Sequence, residues 1–157
     1  MPRRFYLRKD INMAAEYSNI QLQTVAQNAN VLFDNGERSC KKGYIDHSNG
    51  AGIFTVRGTP GYRAIYKVQF QGNIAVAPAA DGGVLGPISV ALTENGESLG
   101  NATAIVTPAA IGDFFAVSIS TFIALPCGCC KTVSVRNVSA GTAIEVTNAN
   151  IIIERVA

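Results

Sequence analysis

The chain has 157 residues, 48% hydrophobic and 15% charged, with a formal net charge of +2. This length suits one domain, since single cores run to roughly 100–200 residues, and so small a charge does not call for a nucleic-acid partner. Charge is scarce against the ~25% of an average soluble protein, so either a membrane or further copies of the chain must cover apolar surface.

A membrane span is excluded next, because the most apolar stretch, residues 114–125, is interrupted by Ser118, Ser120 and Thr121 and falls short of the ~20 residues that a bilayer needs. Self-association is the expectation that remains. At the N-terminus, Arg3, Arg4, Arg8 and Lys9 form a basic cluster without the apolar run and cleavage site of a secretory signal. Residues 1–24 are expected to be an arm, either a solvated terminus or an anchor on an acidic partner surface, and residues 25–157 the folded domain.

Along the domain, strands are expected at 29–33, 44–47 and 52–57. The clearest strand is 64–71, where Ala64, Tyr66, Val68 and Phe70 share one face and Lys67, Gln69 and Gln71 the other. Residues 75–87, rich in Ala, Gly and Pro, read as a surface crossing. Residues 88–93 alternate and lead into Asn95-Gly96, the strongest short hairpin signal, with a returning strand over 98–106. Residues 113–125 are apolar on both faces, with Phe115, Val117, Ile119, Ile123 and Leu125 on one and Phe114, Ala116, Phe122 and Ala124 on the other. A strand of that kind is normally buried twice, which implies a covering loop or a subunit interface. Strands at 132–138 and 142–156 follow, the last bent around residues 147–150. Sustained helical spacing is lacking, and turn residues recur throughout, so the class is an all-β sandwich or barrel.

Chemistry-bearing residues are few. Cys127 and Cys130 have the spacing of half a zinc site, but only Cys40 and His47 are left to complete it. No metal or cofactor is therefore assigned. The cluster Cys40, Cys127, Cys129 and Cys130 leaves a disulfide from Cys40 to the others and free thiols in a tight turn as the remaining readings. Asp46, His47 and Ser48 are consecutive, so in a strand they point to alternating faces and form no triad. Gly82, Gly83 and Gly86 lack the strand-loop-helix setting of a phosphate cradle. No enzyme is expected. Asn101-Ala102-Thr103 and Asn137-Val138-Ser139 match the glycosylation acceptor pattern, a triplet common enough by chance to carry no weight.

The C-terminus, Asn148-Ala149-Asn150-Ile151-Ile152-Ile153-Glu154-Arg155-Val156-Ala157, resembles the ending of the C-terminal domain of BclA-type collagen-like spore-surface glycoproteins. That domain is a tumour-necrosis-factor-like (TNF-like) jelly roll, a group that includes the globular heads of complement proteins. Residues 25–33 fit its first strand, 52–76 the central strand of its inner sheet and 87–99 its hairpin. The resemblance implies a two-sheet jelly-roll sandwich and a homotrimer with inner-sheet faces packed around a threefold axis. Tyr66, Val68, Phe70, Phe115, Val117, Phe122, Ile151 and Ile153 are the interface residues that follow from it. No Gly-X-Y stalk precedes the domain, and the stalkless form is similar to head-decoration or fibre-head proteins of phages. The expected role is thus a non-enzymatic structural protein on a virion surface, with the arm pinning each subunit to a major capsid or other surface-layer protein. A spore-surface protein is the alternative. A carbohydrate- or receptor-binding head, using loops 35–43, 58–62 and 77–87 with Tyr44 and Tyr62 as stacking platforms, is the other reading.

Overall fold

The structure is a computed structural model that describes residues 14–38, 44–58, 61 and 63–157. Its strands are β1 (Ala14–Asn19), β2 (Gln23–Val25), β3 (Asn35–Arg38), β4 (Ile45–His47), β5 (Ile53–Arg57), β6 (Ala64–Val76), β7 (Ile88–Glu94), β8 (Glu97–Val106), β9 (Phe115–Leu125), β10 (Cys130–Asn137) and β11 (Ile144–Arg155). One sheet has the order β3-β1-β11-β6-β9, with β2 also pairing β11; the other has the order β4-β5-β10-β7-β8. Every strand pairing is antiparallel. We call these the A sheet and the B sheet.

Two-residue alternation makes this a sandwich. Along β6, Ala64, Tyr66, Val68 and Phe70 are buried while Lys67 and Gln69 are half-buried and Gln71 exposed. The buried set faces Phe54, Leu92, Val133 and Val135 of the B sheet in one core. Aromatic rings link the layers: Phe33 lies 5.4 Å from Phe54 and 6.4 Å from Phe70, both edge-on, the geometry that aromatic quadrupoles favour. The Tyr66 hydroxyl ties the sheets together by donating to the Arg57 carbonyl at 2.7 Å.

The expected hairpin forms between β7 and β8. Asn95 and Gly96 both have positive φ, 50° and 83°, as a type I′ turn requires. The bend expected at 147–150 is a register shift in the β6–β11 ladder between Thr147 and Asn150, with Asn148 at φ 54°. No helix among the described residues is long and apolar enough to cross a membrane.

Three expectations are corrected. The fold begins before residue 25: β1 pairs along its length with β11 and buries Ala15 and Tyr17, so the folded domain includes at least residues 14–24. Residues 29–33 do not form a regular strand. Asn30 makes an isolated bridge to Arg136, and Val31 and Phe33 enter the core from irregular backbone that is satisfied by the Val135 and Ala51 carbonyls. Residues 52–76 are not one strand but two, β5 in the B sheet and β6 in the A sheet, because the chain crosses between layers after Arg57.

The crossing at 77–87 is built tightly. A short 3₁₀ turn, Ala79–Asp81, ends at Gly82 in the left-handed region, and a Cβ on Gly83 would stand 1.6 Å from the Ala77 carbonyl oxygen. Gly83→Ala is therefore expected to force the backbone apart at a cost of about 2–3 kcal/mol. Thermal denaturation followed by circular dichroism checks this; an unchanged melting temperature refutes it.

Candidate functional site

The residues expected at a subunit interface divide sharply. Tyr66, Val68, Phe70, Ile151 and Ile153 have no exposed surface, and Val117 is 7% exposed. All six belong to the core cluster between the sheets, so none is available to a neighbouring subunit and that assignment is corrected. The reason is topological: an apolar strand face shows which side is dry, and in a sandwich the second sheet already covers that side. Phe115 and Phe122 remain at the surface, 39% and 65% exposed.

The face left open is the outer one of the A sheet. On β9, Ala116, Ser118, Ser120, Phe122 and Ala124 are all exposed. Pairing register extends them into rows across the sheet: Ser118–Gln71–Asn150–Ser18, Ser120–Gln69–Ile152–Glu16 and Phe122–Lys67–Glu154–Ala14. Their charged members are Glu16, Glu154 and Lys67; the rest are serine, amide or apolar side chains, so a covering partner has to meet these polar groups with hydrogen bonds. Asn150 donates to Glu16 at 3.1 Å, and its buried side-chain oxygen has no partner. Phe122 borders an open depression of about 290 Å³ that Asn101 of β8 also lines. Ile105 on the same edge strand is 69% exposed, and Phe114, just before β9, is 44% exposed. β9 ends the A sheet and β8 ends the B sheet, so these side chains are spread along the two edge strands on one side of the sandwich. The signal for this surface lay in the polar alternates of 64–71 and in Phe122 at an outward position of 113–125.

The other candidate groups do not assemble a reactive centre. His47 lies 2.8 Å through Nε2 from the Ala51 carbonyl, and its ring stacks on Phe54 at 4.3 Å. Its neighbour Asp46 instead pairs with Arg57 at 2.8 Å. The hydrogen bond and charge of Asp46 hold the Arg57 guanidinium above its ordinary value, but the pair is half exposed and contributes little to stability. Cys127, Cys129 and Cys130 are exposed free thiols; Cys40 lies outside the described residues, as do Arg3, Arg4, Arg8 and Lys9 of the arm. Among the described residues, no group of three or more His, Cys, Asp or Glu is placed to hold a metal ion.

Two of the loops considered for a receptor or glycan, 58–62 and 77–87, leave the sandwich at opposite ends, whereas Tyr44, which follows 35–43, accepts through its carbonyl from the Arg57 amide at the same end as residue 58. Residue 58 bonds to Cys129 at the end of the sandwich where β10 begins, whereas residue 77 bonds to Ala143 at the opposite end. Tyr44 is half-buried, and Tyr62 lies outside the described residues.

No protein-family model matches the sequence, and no curated protein matches it. Solved structures do match the fold. The chain is similar to a TNF from S. frugiperda, Eiger, with a TM-score of 0.61 and 18% identity over 93% of each chain. It is similar to the globular domain of zebrafish complement 1qA protein, with a TM-score of 0.58 and 14% identity over 91% of this chain and 94% of that one. Murine APRIL gives a TM-score of 0.58 at 10% identity over 91% and 98%. Identities this low carry the architecture alone: the chain is an all-β sandwich of two antiparallel sheets that matches the TNF and complement jelly rolls.

Proposed function

We propose that the protein is a non-enzymatic structural subunit that assembles as a homotrimer and is displayed on a virion surface. The observation that carries the self-association is the exposed edge of β9 and β8, where Phe122 and Ile105 face water beside a sheet face in which serine and amide side chains outnumber charges. Exposed apolar side chains rimmed by polar residues are one mark of an interaction site. The fold adds to this reading through the resemblance to trimeric TNF-like jelly rolls. The two ends of the sandwich suit display: the chain enters at Ala14, which pairs Glu154 near the end bearing the 126–130 turn, while the 77–87 crossing occupies the other. An arm carrying Arg3, Arg4, Arg8 and Lys9 joined to the first end would hold the subunit to a capsid or other surface-layer protein and leave the second end outward.

Sedimentation equilibrium at micromolar concentration is expected to give three times the 16.5 kDa chain mass; a stable monomer refutes the assembly. Antibodies against the chain should label intact virions. Labelling of spores instead overturns the virion assignment while leaving the trimer intact.

A further inference from the structure

We propose that the Cys127-Gly128-Cys129-Cys130 turn is a thiol–disulfide exchange site, in which Cys130 takes up a low-molecular-weight disulfide of the glutathione class and Cys127 resolves the adduct. This goes beyond the assembly role and does not depend on the trimer face.

The turn is firmly held while its thiols face water. The Cys129 amide donates to the Pro126 carbonyl at 3.2 Å, and the Gly58 amide donates to the Cys129 carbonyl at 2.8 Å. Gly128 has φ 65°. A Cβ on Gly58 would stand 3.0 Å from the Pro126 oxygen and 3.2 Å from the Cys129 oxygen, so the two segments pack backbone to backbone. All three thiols are exposed and unbridged. Structural cysteines are typically buried and inert, whereas exposed cysteines beside cations are the reactive kind.

The surroundings assign the roles. Cys130 is the direct cross-strand partner of Arg57 in the β5–β10 ladder, which puts thiol and guanidinium on one face of the sheet. Arg57 is itself paired with Asp46 and Lys131 with Glu94; of the two cations, Arg57 is the one that stands opposite Cys130 in the ladder. Cys129 is poorly suited to resolve the adduct. Its thiol points to the Cys130 carbonyl at 3.5 Å, and adjacent Cα atoms lie ~3.8 Å apart, below the ~4.4–6.8 Å range of disulfides. Cys127, three residues from Cys130 in a Cys-x-x-Cys spacing, remains.

The exchange balances. Cys130 loses its proton to solvent, and its sulfur attacks one sulfur of the small disulfide. The S–S bond breaks, a mixed disulfide forms on Cys130, and the departing thiolate takes up a proton. Cys127 then attacks the Cys130 sulfur and expels the second small thiolate, which is protonated in turn. Two protein thiols are oxidised to one disulfide, and the small disulfide is reduced to two thiols.

The test uses the reduced full-length chain and its Cys40→Ser variant, treated with glutathione disulfide and read by mass spectrometry of the tryptic peptide 68–131. Expected is the loss of two hydrogens, with one alkylatable thiol left in that peptide. Cys127→Ser should stop at a glutathione adduct on Cys130, Cys130→Ser should lose both products, and Cys129→Ser should proceed as the parent does. Arg57→Gln should slow adduct formation, and high salt should slow the parent in the same way. No adduct, an adduct spread evenly over the three cysteines, a block in Cys129→Ser, or a disulfide to Cys40 in the parent overturns the proposal.

Discussion

Replacing Phe122 by glutamate is expected to return the assembly to single, folded chains. Phe122 is 65% exposed in the isolated subunit and points away from the core, so Phe122→Glu removes nothing that the sandwich needs. In a trimer packed through the outer face of β9 the same side chain is covered, and a covered phenyl ring contributes about 1.5–3 kcal/mol. Glutamate at this position forfeits that contribution and leaves a charge to be desolvated, at an effective cost of several kcal/mol per ion. Lys67 stands opposite in the ladder and offers a partner, but an ion pair near a surface rarely offsets desolvation. With up to three such sites in a trimer, dissociation at micromolar concentration is the expected result. Sedimentation should report the monomer mass while far-ultraviolet circular dichroism stays that of the parent. If Phe122→Glu sediments as a trimer, this face is not the contact. If the variant unfolds, Phe122 has a role within the subunit that the structure does not give it.

The contrast between Phe122 and Tyr66 shows what alternation in a sequence can and cannot assign. Period two separated Ala64, Tyr66, Val68 and Phe70 from Lys67, Gln69 and Gln71, and the structure keeps that separation. What the pattern does not state is what covers the apolar side. Tyr66, Phe70, Ile151 and Ile153 are dry because the B sheet lies over them within one chain, not because a neighbour does. Among the outward alternates an aromatic such as Phe122 is out of place, and only register with β6 and β11 shows which polar residues surround it. The Asn95-Gly96 hairpin was legible because its turn needs positive φ at two successive residues. β1 was not, since Ala14–Asn19 offers only Ala15 and Tyr17 as inward apolar residues, too short an alternation to stand out from an arm. Residues 29–33 misled in the opposite sense: Val31 and Phe33 are core residues, but burial there comes without a strand ladder.

A single buried amide is expected to matter more to folding than any residue on the surface face. Asn137, at the end of β10, has no exposed surface, which also removes its glycosylation triplet from consideration. Its Nδ2 donates to the carbonyls of Val25 and Thr142, each at 3.0 Å, and its Oδ1 accepts from the Ser139 amide at 3.0 Å. One side chain thus joins the end of β2, the turn after β10 and the approach to β11, stitching the B sheet to the A sheet. Asn137→Leu has similar volume but leaves two carbonyls and one amide unpaired. At about 1–3 kcal/mol for each unsatisfied buried group, the expected loss is about 3–9 kcal/mol, a large share of the ~5–15 kcal/mol that keeps a domain folded. Asn137→Asp separates hydrogen bonding from size, since it keeps an acceptor for Ser139 but turns oxygen toward two carbonyls. A carboxyl so placed binds its proton more tightly in the folded chain than in the unfolded one. Its raised folded-state affinity means the variant is most stable in acid, below the unfolded carboxyl's titration, and loses stability as the pH rises toward neutrality. Urea denaturation at neutral and acidic pH reads both effects. Equal stability of Asn137→Leu and the parent, or an Asn137→Asp variant that weakens in acid relative to the parent, shows that this amide does not hold the two sheets together.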